Sequence, residues 1–143
     1  VYGIVGTSFT EGGRAPGMDD NRQKMIEHSE HPRNRGGMTN PDGIGEIGNA
    51  STDVHLRVFI RVDENLITDV RYEIKDCPTS LACASIMTEL AIGKDLDEAV
   101  TIEGEDIANA LGGLPGNMLY CSNRAARALQ EAIIDHVYRR RGA

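Results

Sequence analysis

The chemistry this chain can do starts from two cysteines. Cys77 falls where an extended segment gives way to a helical one, and Cys121 comes one residue before Ser122, which is expected to cap the last helix. Backbone N–H groups at a helix start favour thiolate over thiol, making such a cysteine a better nucleophile and a better metal ligand. If the fold brings the pair together, they form a soft-metal or sulfur site. Otherwise they are small apolar fillers of a sheet–helix junction, because free cysteine is among the most buried residue types. The third thiol, Cys83, lies beside Leu81 and Ala84 inside a helix and is expected to be core. Asp53 follows the turn Asn49-Ala50-Ser51-Thr52 and is either a turn-capping carboxylate or part of such a site. His28 and His31 close the first helix, where they favour its C-terminus electrostatically, and His55 and His136 are expected to be solvated. The sequence contains no Gly-rich phosphate loop, Ser-His-Asp order or CxxC pair.

The elements that must position these residues belong to one domain of 143 residues. With 15 Lys and Arg against 22 Asp and Glu the net charge is −7, which argues against nucleic acid as a partner. Phosphate binding needs a local surplus of cations, and the one basic cluster, Arg139-Arg140-Arg141, is a terminal tail. No run of about 20 apolar residues is present to span a membrane. The first residues lack the basic region and small-residue cleavage site of a secretory signal, so a cytoplasmic location with reduced thiols is expected. Three cysteines, an odd number, do not make a disulfide framework. Residues 1–18, with Gly12-Gly13 and Pro16-Gly17, read as a flexible leader or extension ahead of a domain over 19–143.

Asp19 or Asp20 is placed to start a short helix that His31-Pro32 stops near Ser29. From Val54 to Val62 apolar and polar residues alternate strictly, with Leu56, Val58 and Ile60 on one face and His55, Arg57, Phe59 and Arg61 on the other. After the turn Asp63-Glu64-Asn65, Thr68, Val70, Tyr72 and Ile74 share a face, which makes a hairpin. A third strand over 44–48 would complete a small sheet. Leu81, Ala84, Met87, Leu90 and Ala91 then fall at helical spacing up to Gly93. Asp95 and Glu98 make a capping box, and Glu105-Asp106 opens a further helix. The last helix buries Ala125, Ala128, Leu129, Ala132, Ile133 and Val137. Strands followed by helices predict an α+β fold, a small three-stranded antiparallel sheet packed against several helices.

Several runs resemble one family in order along the chain. His28-Ser29-Glu30-His31-Pro32-Arg33-Asn34-Arg35-Gly36 resembles the HxxxPRNxG segment of the IscU/NifU-type iron–sulfur cluster scaffold proteins. Ala50-Ser51-Thr52-Asp53 resembles their ACGD loop, and Cys77 through Ser85 resembles their GCG turn and following small-residue helix. Gly93-Lys94-Asp95-Leu96-Asp97-Glu98-Ala99 is close to GKSLDEA, and Leu114 through Ser122 resembles LPPxKxHCS. The similarity runs from about residue 20 to about residue 138.

The resemblance implies a three-stranded sheet on helices, with three loops meeting at one end of the sheet. It implies a scaffold role: sulfur received from a cysteine desulfurase, a transient 2Fe-2S cluster built with iron, and transfer to acceptor proteins. It further implies cluster ligands at Asp53, Cys77 and Cys121, which match the family pattern. At the family's other two positions Ser51 stands for the first cysteine and Tyr120 for the histidine. Iron accepts oxygen donors, including tyrosinate, so Tyr120 joins the expected metal ligands and Ser51 the cluster-contacting residues. The LPPxK-like run, which the resemblance implies is a chaperone docking element, is altered as well, with Gly116 for the second proline and Met118 for the lysine. Two other readings use the same residues: a cluster-free paralogue that docks on the desulfurase as regulator or sulfur relay, and a zinc site. A homo-oligomer is compatible with each. An enzyme is not expected, because no histidine base accompanies the thiols where Tyr120 stands.

Overall fold

The computed structural model describes residues 18–48, 55–75 and 78–142. Three strands, β1 (Gly43–Gly48), β2 (His55–Asp63) and β3 (Leu66–Lys75), form an antiparallel sheet in the order β1-β2-β3. The helices are α1 (Met18–Glu30), α2 (Pro78–Ala91), α3 (Leu96–Ala99), α4 (Gly104–Ala110) and α5 (Leu119–Gly142). The sheet, hairpin and helices follow the expected α+β layout. The proposed leader falls almost wholly on residues 1–17, and Ser51, Asp53 and Cys77 also lie outside the described residues.

The inward face of the hairpin carries Leu56, Val58 and Ile60 from β2 and Val70 and Tyr72 from β3, all buried. These pack with Met87, Ile107, Leu111 and Leu129 into one core. Two details depart from strict alternation. The register shifts between Arg61 and Val62, so Ile67 turns inward where Thr68 was expected, and Thr68 is exposed. A bulge adds a residue that the period-two pattern cannot register. Phe59, expected on the polar face, is only 5% exposed, with the Arg57 guanidinium 5.2 Å from its ring centre.

Helix α5 lies on β1 at a distance only glycine allows. A Cβ on Gly45 would overlap the Ala128 carbonyl oxygen and sit 2.6 Å from the Ala132 nitrogen, and one on Gly43 would sit 3.1 Å from His136 Cβ. The direction follows from these contacts. Two strand residues advance about 6.6 Å and four helix residues about 6 Å, so α5 runs antiparallel to β1 with its first turn at the Gly48 end. At the opposite end Asp135 accepts the Ile44 N–H at 2.9 Å and Arg139 donates to the Pro41 carbonyl at 3.0 Å.

The capping box of α3 is present, with Glu98 N–H donating to Asp95 at 2.8 Å. Helix α4 starts at Gly104, one residue before the expected Glu105, and Asp106 accepts the Glu103 N–H at 2.9 Å. Ser122 is not a cap. A 3-10 turn at Gly116–Met118 leads directly into α5 at Leu119, and the Ser122 hydroxyl donates back to the Leu119 carbonyl at 2.9 Å. Val137, placed on the buried stripe by spacing, is 40% exposed. His136 is buried rather than solvated and its Nδ1–H donates to the Asp42 carbonyl at 3.2 Å, while His55 is half-buried beside Glu46.

His28 does more than favour a helix end. It is 5% exposed, and its Nδ1 lies 2.7 Å from the Ser85 hydroxyl of α2. That oxygen also accepts the Arg33 N–H at 2.9 Å. Asn34 Nδ2 donates to Thr88 at 2.9 Å, and Gly36 N–H donates to the Tyr72 carbonyl at 2.8 Å. The segment after α1 thus straps α1 to α2 and β3. Beneath it Tyr72 is fully buried, and burial pushes its phenol up to about 12, so it stays protonated.

Burial first, and then the Arg33 charge, hold the His28 pKa below 6.5, against a weaker opposing pull from Glu89 and Glu27. The group is depressed in the folded state, so its contribution is complete above pH 6.5 and is lost as pH falls from there through the folded value. Thermal unfolding followed by circular dichroism should therefore show a melting temperature that declines below pH 6.5, and His28→Gln should flatten that part of the curve. An unchanged pH profile in the variant would show that His28 is not responsible.

Candidate metal centre

At one end of the sheet Gly48, His55 and Lys75 pair in succession. Residues 49–54 join Gly48 to His55, and residues 76–77 join Lys75 to the first residue of α2, Pro78. The first turn of α5 reaches the same end by the antiparallel contact with β1. One direct bond ties the two helix starts: Arg124 Nη2 donates to the Ser80 hydroxyl at 3.3 Å. The connections that carry Ser51, Asp53 and Cys77 thus leave and return beside the turn that carries Tyr120 and Cys121.

Cys121 lies within the first turn of α5, not ahead of it, and is 2% exposed against the core. Tyr120, its neighbour, is 48% exposed, with the Arg124 guanidinium 4.6 Å from the ring centre. The two side chains divide the turn between core and solvent, with sulfur on the inner side and phenol on the outer. Cys83 is fully buried in α2 within the core cluster, as its neighbours predicted. Among the described residues no group of three or more His, Cys, Asp or Glu side chains is gathered for a metal. The remaining candidates lie on the adjoining segments.

The starts of α2 and α5 both lie at this end, where the positive ends of their helix dipoles favour anions. A thiolate and a phenol are donors that suit iron, and thiolate with carboxylate also suits zinc. Arg124 was not singled out from sequence. Its only signal is the i, i+4 spacing from Tyr120 on one helix face, which is not distinctive. His28 and Ser85 were legible only as parts of family-like runs, because the face of α1 they serve is polar.

None of the described helices is long and apolar enough to cross a membrane. Residues 20–143 match the NifU-like N terminal domain family. The iron-sulfur cluster assembly scaffold protein IscU 1 of Archaeoglobus fulgidus is 39% identical over 119 residues, 83% of this chain and 77% of its own. The iron-sulfur cluster assembly scaffold protein IscU of Escherichia coli K12 is 38% identical over 122 residues, 82% of this chain and 94% of its own. The crystal structure of a NifU-like protein N-terminal region from Brucella abortus shares the fold, with a TM-score of 0.52 at 20% identity over 87% of this chain and 84% of that one. On the extent of these matches, the chain belongs to the NifU-like N-terminal domain family.

Proposed function

We propose that this chain is a scaffold on which an iron–sulfur cluster is built and from which it is passed on. The observation that carries the reading is the junction of α2 and α5, where the Arg124–Ser80 bond holds the Tyr120-Cys121 turn beside the helix start that follows Cys77. The relatives' names as cluster assembly scaffolds support it. In this reading the working unit is residues 19–143, and residues 1–18 are an extension with no part in the site.

Asp53, Cys77, Cys121 and Tyr120 hold the iron, with Ser51 alongside. Two thiolates, a carboxylate and a phenolate form a harder donor set than three thiolates and a carboxylate, and they bind ferric iron well. The cargo is a 2Fe-2S cluster. Sulfur arrives as a persulfide on a cysteine desulfurase. A scaffold thiolate attacks the outer sulfur, the desulfurase cysteine leaves as thiolate, and an external two-electron donor reduces the transferred sulfur to sulfide. The finished cluster passes to acceptor apoproteins. The chain itself turns over no substrate. The site belongs in the reducing cytoplasm, where thiolates persist, and self-association is a further property to be measured.

The test supplies purified protein with a cysteine desulfurase, cysteine, ferrous iron and a thiol reductant without oxygen, and then adds an apo-ferredoxin. Cluster absorption should appear on the scaffold first and on the ferredoxin later. Binding to the desulfurase without any colour would favour the regulator or relay, and a tightly held zinc ion that iron does not replace would favour the zinc site.

A further inference from the structure

We propose that the end of the fold away from Cys121 is a contact surface for a second copy of this chain, in which the Tyr138 ring of each copy enters a hole on the other. The hole lies where the β2–β3 turn, the start of α3 and the last turns of α5 meet. Its volume is about 320 Å³, and Asn65, Leu96, His136, Val137 and Arg140 line it. That is room for one aromatic side chain rather than for a large ligand. Leu96 and Val137 give it apolar walls.

His136 gives the hole a polar edge with an unmet need. The imidazole is buried, its Nδ1–H donates to the Asp42 carbonyl, and its Nε2 has no hydrogen-bond partner among the described residues. With the proton on Nδ1, Nε2 keeps its lone pair and can only accept. A buried acceptor left without a donor is costly, and this one is closed to water in the single chain. The group that satisfies it must be a donor carried into the hole on an apolar body.

Tyrosine has that form, an apolar ring tipped by a hydroxyl. Tyr138 is 67% exposed, the most exposed large apolar side chain among the described residues. His136 and Arg140 stand two residues to either side of it, and helix positions two apart face different ways, so the ring does not fill the hole of its own chain. A knob and a hole side by side on one surface are what a two-fold contact uses, each copy giving one and receiving one. Ile134, one turn before Tyr138, is exposed as well and extends the apolar surface, and Arg140 at the rim offers a cation to the face of the entering ring. The surface is small, so the association is weak and reversible. It leaves the turn that carries Cys121 open and does not depend on the scaffold reading.

The test is sedimentation velocity on the metal-free protein with a thiol reductant, from about 10 μM to about 1 mM, the range in which so small an interface associates. The mean mass of wild type should rise from one chain toward two. Tyr138→Ala and Val137→Asp should each weaken the association about tenfold or more, and Tyr138→Phe by several-fold, because only the hydroxyl is lost. Ile26→Asp, at an exposed apolar residue of α1, should associate as wild type does. Circular dichroism checks that each variant keeps the wild-type helix content. In a mixture of isotope-labelled and unlabelled chains, NOEs should join the Tyr138 ring of one copy to the Leu96 methyl groups of another. Wild type with the mass of one chain throughout would overturn the proposal, as would association that survives Tyr138→Ala or falls equally in Ile26→Asp. Tyr138→Phe associating as tightly as wild type would overturn the pairing with His136.

Discussion

Gly45→Val is expected to lower stability by ~3 kcal/mol or more, at the upper end of what overpacking costs. The usual relief for an inserted side chain is a rotamer change in its neighbours, and here the neighbours are backbone: the Ala128 carbonyl and the Ala132 nitrogen of α5. Either α5 moves off β1 as a unit or the strand bows, and both separate Ala128 and Ala132 from the core they fill. Because the first turn of α5 carries Tyr120 and Cys121, the same displacement should reach the site. Urea unfolding gives the stability, and the iron retained by the folded fraction gives the second effect. A midpoint within error of wild type would mean that α5 does not pack on β1 as described.

Cys121→Ala carries the largest expected functional effect. The side chain is small and the helix around it is alanine-rich, so the fold should survive with a loss of about 1 kcal/mol. Metal retention should fall further than the roughly 10- to 100-fold that an outer-shell change costs, because one of only two thiolates is gone. Cys83→Ala is the matched control: it also removes a buried thiol from the core, but from the interior of α2. It should lose similar stability and no metal. Iron counted after gel filtration would separate the two variants, and equal losses would indicate that Cys121 is only packing.

The sheet and the long helices were legible because their apolar periods are regular. Leu56, Val58 and Ile60, or Ala125, Ala128, Leu129, Ala132 and Ile133, fall on one face whichever neighbours they meet. What escaped was set by contacts between elements. The inward turn of Ile67 depends on how β3 pairs with β2, and the burial of His28 depends on Ser85 lying 57 positions away. The start of α5 was misplaced because Ser122 looks like a cap, while the 3-10 turn before Leu119 leads into the helix without a polar side chain. For the site, Cys121 and Tyr120 came from a motif-like run and Cys83 from its apolar neighbours. Arg124 needed the two helix starts to be side by side before its double contact could be seen.

The proposed site asks Cys77, Cys121, Asp53 and Tyr120 to hold an iron–sulfur cluster although Ser51 stands where a thiolate is usual in the family. The most direct measurement is iron, sulfide and zinc per chain, with the visible spectrum, on protein purified without oxygen after expression with added iron. Iron and acid-labile sulfide should be found in equal amounts with thiolate-to-iron charge-transfer bands, all lost in Cys121→Ala. Colourless protein without iron or sulfide, even after chemical reconstitution, would contradict that assignment.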